Sequence, residues 1–337
     1  MARIRGRGLA AVALPVLLAV GSWPATGPAP AAHAAGLEKV TISMGYIPNV
    51  QFTPYYVADA RGYYKAAGLS IHYDYTLTSD VIKVVGTGSV AFGNAEADQV
   101  IVGAARGLPV VSVFAQYQRF PVVIFALKSS GIHSFSDLKG KTIGIPGLYG
   151  ATYTGLLAAL AAAHLGAHDV KIEAIGYAQV AAVARKRVDA AVGYAMNEPV
   201  QLSEQGYAVT TLPIAANANL AGPGVITSQS MIAKHSDVVA RFVAASLHGL
   251  RDTIANPKAA FAIARRYMPS LGASQVKYQL AVLQEAIKYW TPYQTRALGC
   301  NNPAQWTATQ AILLTQHQIA KSGQVKTMYS NRFVPKC

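Results

Sequence analysis

Lys139-Gly140-Lys141-Thr142-Ile143-Gly144-Ile145-Pro146-Gly147-Leu148-Tyr149-Gly150-Ala151-Thr152-Tyr153 is the stretch whose reading decides the fold. Residues 142–145 read as a short buried strand. Gly147 and Gly150 let the backbone turn sharply and approach a neighbour closely. From Ala151 the chain is rich in good helix formers, so a helix follows. A strand, a glycine loop and a helix start leave unpaired backbone N–H groups aimed at one spot. Such a spot suits an anion or the polar edge of a ligand. The spacing matches neither a Walker loop nor a GxGxxG fingerprint. Taken locally, a plain strand-to-helix turn accounts for it as well.

The same alternation extends outward in both directions. Upstream, strands are expected at 40–46, 70–75, 90–94, 109–116 and 121–127, with helices at 54–61, 80–85 and 98–106. Downstream, strands at 170–175, 190–194 and 209–213 alternate with helices at 154–165, 180–185 and 199–206. Strands and helices in alternation with short connections mean an α/β fold with a mostly parallel sheet. After a loop at 217–224 the pattern turns mostly helical, at 237–255, 257–267, 274–289 and 307–321. No short-period repeat is present. Two α/β units therefore follow one another, with a helical C-terminal region.

The chain has 337 residues, 52% hydrophobic and 13% charged, enough apolar side chain for a large core and too little charge for global disorder. Residues 1–34 read as a secretory signal peptide. Arg3, Arg5 and Arg7 precede an apolar run at 9–20, and Ala32-His33-Ala34 is a small-x-small cleavage site. Export to the periplasm or cell envelope is expected, without a lipid-bearing cysteine near the cleavage site. Setting the three arginines aside leaves 26 basic side chains against 15 acidic, a formal charge of +11. The basic residues are scattered and no nucleic-acid signature accompanies them, so nucleic acid is not an expected partner. Cys300 and Cys337 make an even pair, which in an exported chain favours a disulfide.

Ligands of such sheets bind beyond the carboxyl ends of the strands. The loops there carry Tyr46, Asn49, Gln51 and Phe52, then Asn94, then Tyr117, Gln118 and Arg119. In the second unit they carry Tyr149, Thr152 and Tyr153, then Tyr194, Asn197 and Glu198. Phenols, amides and one carboxylate describe a pocket for a flat polar molecule. Of Tyr46, Phe52, Tyr117, Tyr149 and Tyr194, two or three are expected against the ligand and the rest in the core. Glu198 is an acceptor suited to a donor-bearing heterocycle edge. It also reads as a first-turn residue ahead of Pro199, interacting with the helix dipole. Arg119 reads equally as a contact to a polar substituent or as the partner of a carboxylate. The histidines show no metal spacing, and no nucleophile elbow or catalytic carboxylate pair stands out. No catalytic residue, metal or cofactor is expected.

Several segments in this order resemble the substrate-binding proteins of ABC importers, in the branch related to the thiamine-pyrimidine synthase. They are Gly-Tyr-Ile-Pro-Asn at 45–49, Tyr-Val-Ala-Asp-Ala-Arg-Gly-Tyr-Tyr at 56–64 and Gly-Leu-Pro-Val-Val at 107–111. Ser-Asp-Leu-Lys-Gly-Lys-Thr-Ile-Gly-Ile at 136–145, Val-Asp-Ala-Ala-Val at 188–192 and Asn-Glu-Pro at 197–199 complete the set. The resemblance implies a two-lobe periplasmic-binding-protein type II fold with the ligand in the cleft. Lobe 1 would comprise 38–126 and 224–337, and lobe 2 residues 127–223. The hinge would lie near 125–127 and 221–225. It also implies a monomer that works with an ABC permease and binds a small aromatic heterocycle, a thiamine-precursor pyrimidine or riboflavin. In that setting Glu198 would pair with a ring nitrogen or exocyclic amine. A sulfonate, taurine or nitrate ligand is the alternative, and an exported enzyme on the same fold a more distant one. The synthase branch uses a cysteine-rich motif, and this chain has no cysteine before Cys300.

Overall fold

A computed structural model of the chain describes residues 36–76, 80–292 and 297–337. The expected signal peptide lies outside the described residues. Strands β1 (Glu38–Ser43), β2 (Leu69–Asp74), β3 (Phe92–Ala95) and β4 (Val110–Phe114) precede β5 (Val122–Leu127) and β6 (Thr142–Ile145). Then come β7 (Lys171–Ala174), β8 (Ala190–Tyr194), β9 (Val209–Pro213) and β10 (Gly224–Ser228). Helices α1 (Thr53–Ala60), α2 (Tyr63–Ala66), α3 (Val81–Gly86) and α4 (Ala97–Ala105) belong to the first unit. The second holds α5 (Gly150–Ala162), α6 (Gln179–Ala184) and α7 (Glu198–Glu204). The C-terminal region supplies α8 (Gln229–Lys234), α9 (Ser236–Ala255), α10 (Pro257–Ala264), α11 (Val276–Trp290) and α12 (Pro303–Thr315).

The strands form two five-stranded sheets, ordered β2-β1-β3-β10-β4 and β7-β6-β8-β5-β9. β1 pairs in parallel with β2 and β3, and β6 with β7 and β8. The expected mostly parallel arrangement is qualified by one strand in each sheet. β10 runs antiparallel between β3 and β4, and β5 antiparallel between β8 and β9. Both are the first strand after the chain changes sheet. A chain that leaves one sheet at its carboxyl edge enters the next from the same side, so it must run against its new neighbours. β10 is a correction to the sequence reading, which left 225–235 unassigned.

The crossing points also move. β5 lies wholly in the second sheet, so the outward crossing falls at 115–121 and not at 125–127. Residues 125–127 are fixed inside a buried strand and cannot act as a hinge. The return crossing at 214–223 runs beside the outward one, and Tyr117 N donates to Pro223 O at 3.1 Å. A side chain at Gly224 would collide with Phe114 O, so this close approach requires glycine.

The first core gathers around Ile42, Phe92, Phe114, Phe242 and Trp290. Phe92 and Phe242 stack with centroids 4.1 Å apart, which holds α9 on the sheet. Each such side chain contributes roughly 1.5–3 kcal/mol by leaving water. The second core gathers Val122, Ile124, Ile143, Leu156, Leu160 and Val192. α5 is buried almost all round, because it packs on β5 and β8 and also against α4 and α12. It begins at Gly150, one residue before the Ala151 start read from the sequence, and ends at Ala162, three residues before the expected 165. Along the edge of the first sheet the C-terminal tail is bound to β4, with Ser112 N donating to Met328 O and Ser330 N to Ser112 O. The Cys300–Cys337 disulfide closes that tail, with Cα atoms 5.7 Å apart.

Candidate functional site

The carboxyl ends of β1, β3, β6, β7 and β8 converge where the two sheets face each other. Side-chain hydrogen bonds cross that gap, three of them close to the strand ends. Gln51 Nε2 donates to Asn197 Oδ1 at 2.8 Å. Tyr194 Oη donates to Glu96 Oε1 at 2.6 Å. Thr154 Oγ1 donates to Asp98 Oδ2 at 3.0 Å. Asn49 caps the short 3-10 turn at 50–52 by accepting from Gln51 N, which orients Gln51 towards its partner. Tyr117 Oη also reaches Gln51 Oε1, at 3.3 Å.

Two carboxylates in this seam lie two residues apart at the end of β3, and sequence reading passed over both. Glu96 is half-buried with its Oε2 shielded from water, and burial pushes its carboxyl up to about 8, with help from the charge of Asp98 and against the hydrogen bond from Tyr194. Asp98 is raised by burial as well, opposed by Thr154 and by the amides of Gln99 and of its own residue. Asn94 Oδ1 and Glu96 Oε2 are buried with no hydrogen-bond partner among the described residues. Residues two apart on a strand point to the same face, so the two acceptors share one side of it. The signal available in the sequence was position alone: Glu96 and Asp98 directly follow a strand end.

Glu198 is held differently. Its Oε2 accepts from Tyr194 N at 2.7 Å, and Gly193 leaves the space its carboxylate fills. Burial pushes it up to about 7, against the hydrogen bonds from its own and Tyr194's backbone amides. The phenol of Tyr278, from α11, is pushed up to about 12 by burial and then by the charges of Glu198 and Tyr46.

The remaining candidates divide. Phe52 and Tyr117 are core residues, Tyr117 edge-on to Trp290 at 5.9 Å. Thr152 is buried in the first turn of α5, and Tyr153 packs against the second core. Arg119 lies over the Tyr289 ring at 5.1 Å. Tyr46 and Tyr149 are instead exposed, 50% and 66%, with Ile47 and Leu148 beside them in sequence also exposed. Tyr177, in the loop after β7, joins them at 85% exposure. Its phenol is raised by desolvation and then by the phenols of Tyr149 and Tyr46, which lie within electrostatic range of it. Tyr177 was absent from the sequence candidates, although it too follows a strand end. Among the described residues no cluster of His, Cys, Asp and Glu has the makings of a metal site.

A family model described as NMT1/THI5 like matches residues 49–260. The chain belongs to the NMT1/THI5-like family. Within it, the riboflavin-binding protein RibY of Chloroflexus aurantiacus is 41% identical over 317 residues, covering 93% of this chain and 90% of its own. The 4-amino-5-hydroxymethyl-2-methylpyrimidine phosphate synthase of Legionella pneumophila is 26% identical, covering 88% and 93%. Among solved structures, the periplasmic aliphatic sulphonate binding protein SsuA of Escherichia coli superposes with a TM-score of 0.71 at 17% identity, covering 86% of this chain and 91% of that one. The fold is that of the periplasmic binding proteins, and this NMT1/THI5-like chain carries it over both sheets.

Proposed function

We propose that this protein is an exported substrate-binding protein of an ABC importer that holds a flavin, riboflavin in the first instance, between its two lobes. The observation that carries the reading is the group of exposed rings Tyr46, Tyr149 and Tyr177, drawn from strand-end loops of both sheets. An apolar ring left in water gains by stacking on a flat ligand, about 0.5–1.5 kcal/mol per aromatic pair beyond the area buried. A three-ring heterocycle is wide enough to use more than one of them. The 41% identical relative named for riboflavin supports the same choice.

Lobe 1 is taken as 38–121 with 224–337 and lobe 2 as 122–223. A ligand that touches both lobes has more contacts when they are together, so it shifts the population towards closure. The Gln51–Asn197, Tyr194–Glu96 and Thr154–Asp98 bonds are the latches of that closed form. A permease can then distinguish loaded from empty protein by shape, and a monomer suffices.

A pyrimidine ligand is the second reading, favoured by Glu198, whose carboxylate suits an exocyclic amine. Synthase activity has less support, because both cysteines of the chain are tied in one disulfide. Isothermal titration with riboflavin and with an aminopyrimidine decides between the ligands. Saturable riboflavin binding and a smaller radius of gyration in small-angle scattering at saturation are expected. No heat with riboflavin, or a product in the mass spectrum after incubation with the pyrimidine, overturns the reading.

A further inference from the structure

Tyr149 faces two ways. Its phenol acts on that of Tyr177, and its side chain also lines a cavity of about 380 Å³ between α3, α4 and the start of α5. That volume lies in the range of small-ligand pockets, roughly 300–1,000 Å³. Leu148, Gly150 and the aliphatic Ile82, Val102 and Leu108 also line it, and its polar lining is Asp80, Asp98, Gln99, Arg106 and Gln318.

The chemistry of this lining is mixed. Asp98 is 5% exposed. Its Oδ2 accepts from Thr154 Oγ1, and its Oδ1 from Gln99 N. Each carboxylate oxygen has a second lone pair beyond those bonds. Asp80 caps α3 by accepting from Lys83 N. Arg106 and Gln318 bring donors, and Gln318 Nε2 is buried without a hydrogen-bond partner among the described residues. A phosphate in this space meets two aspartates against one arginine. A hydroxyl both donates and accepts, so a neutral polyol satisfies the acidic and the basic side chains together.

We infer that the cavity beneath Tyr149 receives a neutral, polyhydroxylated arm of the ligand whose ring lies on Tyr149, so that the site selects the hydroxylated and unphosphorylated form. This rests on the flavin reading above. It adds a second point of recognition on the far side of the ring, and it assigns Arg106 and Gln318 to reading the arm.

The test is titration of the full chain with riboflavin, with lumichrome, the three-ring alloxazine that lacks the arm, and with flavin mononucleotide, which has the phosphorylated arm. Riboflavin is expected to bind ~10–100-fold tighter than lumichrome, the worth of two or three neutral hydrogen bonds. Flavin mononucleotide is expected to bind more weakly than riboflavin, by a margin that narrows as salt is raised. In the double variant Arg106→Ala/Gln318→Ala the riboflavin-to-lumichrome ratio should fall to within ~3-fold, with thermal unfolding used to establish that the variant is folded. Equal binding of lumichrome and riboflavin overturns the arm inference and leaves the flavin reading standing. So does a ratio unchanged in a folded double variant. Tighter binding of the mononucleotide overturns it in favour of an anion site. If none of the three binds, the flavin reading falls and the inference falls with it.

Discussion

Tyr55, Tyr56 and Tyr64 in the first core, and Tyr46, Tyr149 and Tyr177 at the cleft, are the same side chain in opposite circumstances. The core rings are fully buried and their hydroxyls have protein partners. Tyr55 donates to Gln116 Oε1 at 2.7 Å, Tyr64 shares a bond with Ser246 Oγ at 2.8 Å, and Tyr56 receives one from Tyr75 at 2.8 Å. Burial drives all three phenols well above their ordinary range. The cleft rings keep their faces in water, where their apolar area contributes nothing until something covers it. A tyrosine with its hydroxyl and both faces satisfied is structure. A tyrosine with its faces open is stored binding energy.

The largest expected effect sits on the core side of that comparison. Tyr56→Ala removes a ring stacked on Tyr267 at 4.5 Å and leaves Tyr75 without its acceptor. A loss of about 3–5 kcal/mol is expected by urea unfolding, as for other large aromatic truncations. A loss below about 1 kcal/mol would show that the core rings are not the structural set.

Next is the disulfide. Cys300 and Cys337 are 37 residues apart, and cutting the link in Cys337→Ser should cost about 3–4 kcal/mol. The segment it closes includes Gln318 of the cavity beside Tyr149, but the end it fastens, at 328–337, is held on β4, so riboflavin affinity in the folded variant should stay within ~2-fold while stability drops. A parallel loss of affinity would tie the tail to the cleft and blur the comparison.

Tyr149→Ala should do the opposite. Losing a stacked ring and its buried area is expected to weaken flavin binding ~10-fold or more, read by quenching of flavin fluorescence. The melting temperature should hardly move, since an exposed ring contributes little to folding. A variant that melts lower and binds normally would place Tyr149 with the structural set.

The last test is a pH slope in the seam between the two sheets. Glu96 is held near 8 and Glu198 near 7 in the folded protein, from an ordinary value of 4.5. The folded state therefore binds more protons than the unfolded one between those limits, and stability falls as pH rises from about 4.5 to about 8. Their contribution is complete below 4.5 and level again above 8. Glu96→Gln should flatten its share of the slope in unfolding experiments between pH 5 and 9. A wild-type profile that rises over this range would show that the seam holds its carboxylates ionised.

Much of the fold was legible because its signals are local. The strands at 142–145, 190–194 and 209–213 were read with the bounds they have, since each is a short apolar or β-branched run between turn residues. β10 was not, because Gly222-Pro223-Gly224 looks like a loop from close by. Its strand character comes from β3 and β4, which lie more than 100 residues earlier in the chain. The site shows the same boundary. Tyr46, Tyr149, Asn197 and Glu198 were named from the rule that ligands gather at strand ends, and the structure places them in the loops that follow β1, β6 and β8 or at the helix start there. Glu96 and Asp98 follow that rule too, but they read as the start of a helix. What makes them unusual is enclosure by Tyr194 and Thr154 from the other sheet, which no stretch of neighbouring residues records. Phe52 and Tyr117 show the converse, ring residues beside strand ends that the core claims first.

The place of β10 between β3 and β4 also has a consequence in time. As the chain is synthesised, the second sheet is complete once residue 213 has been made, because β5 to β9 are contiguous. The first sheet begins earlier and finishes later. β3 and β4 have no strand between them until 224–228 emerge, and their facing edges stay unpaired for more than 100 residues of growth. An unpaired apolar edge is the usual opening for aggregation. The half of the molecule that starts first is thus the last to become safe, and any factor that shields the nascent chain has its longest task at Phe92 and Val113.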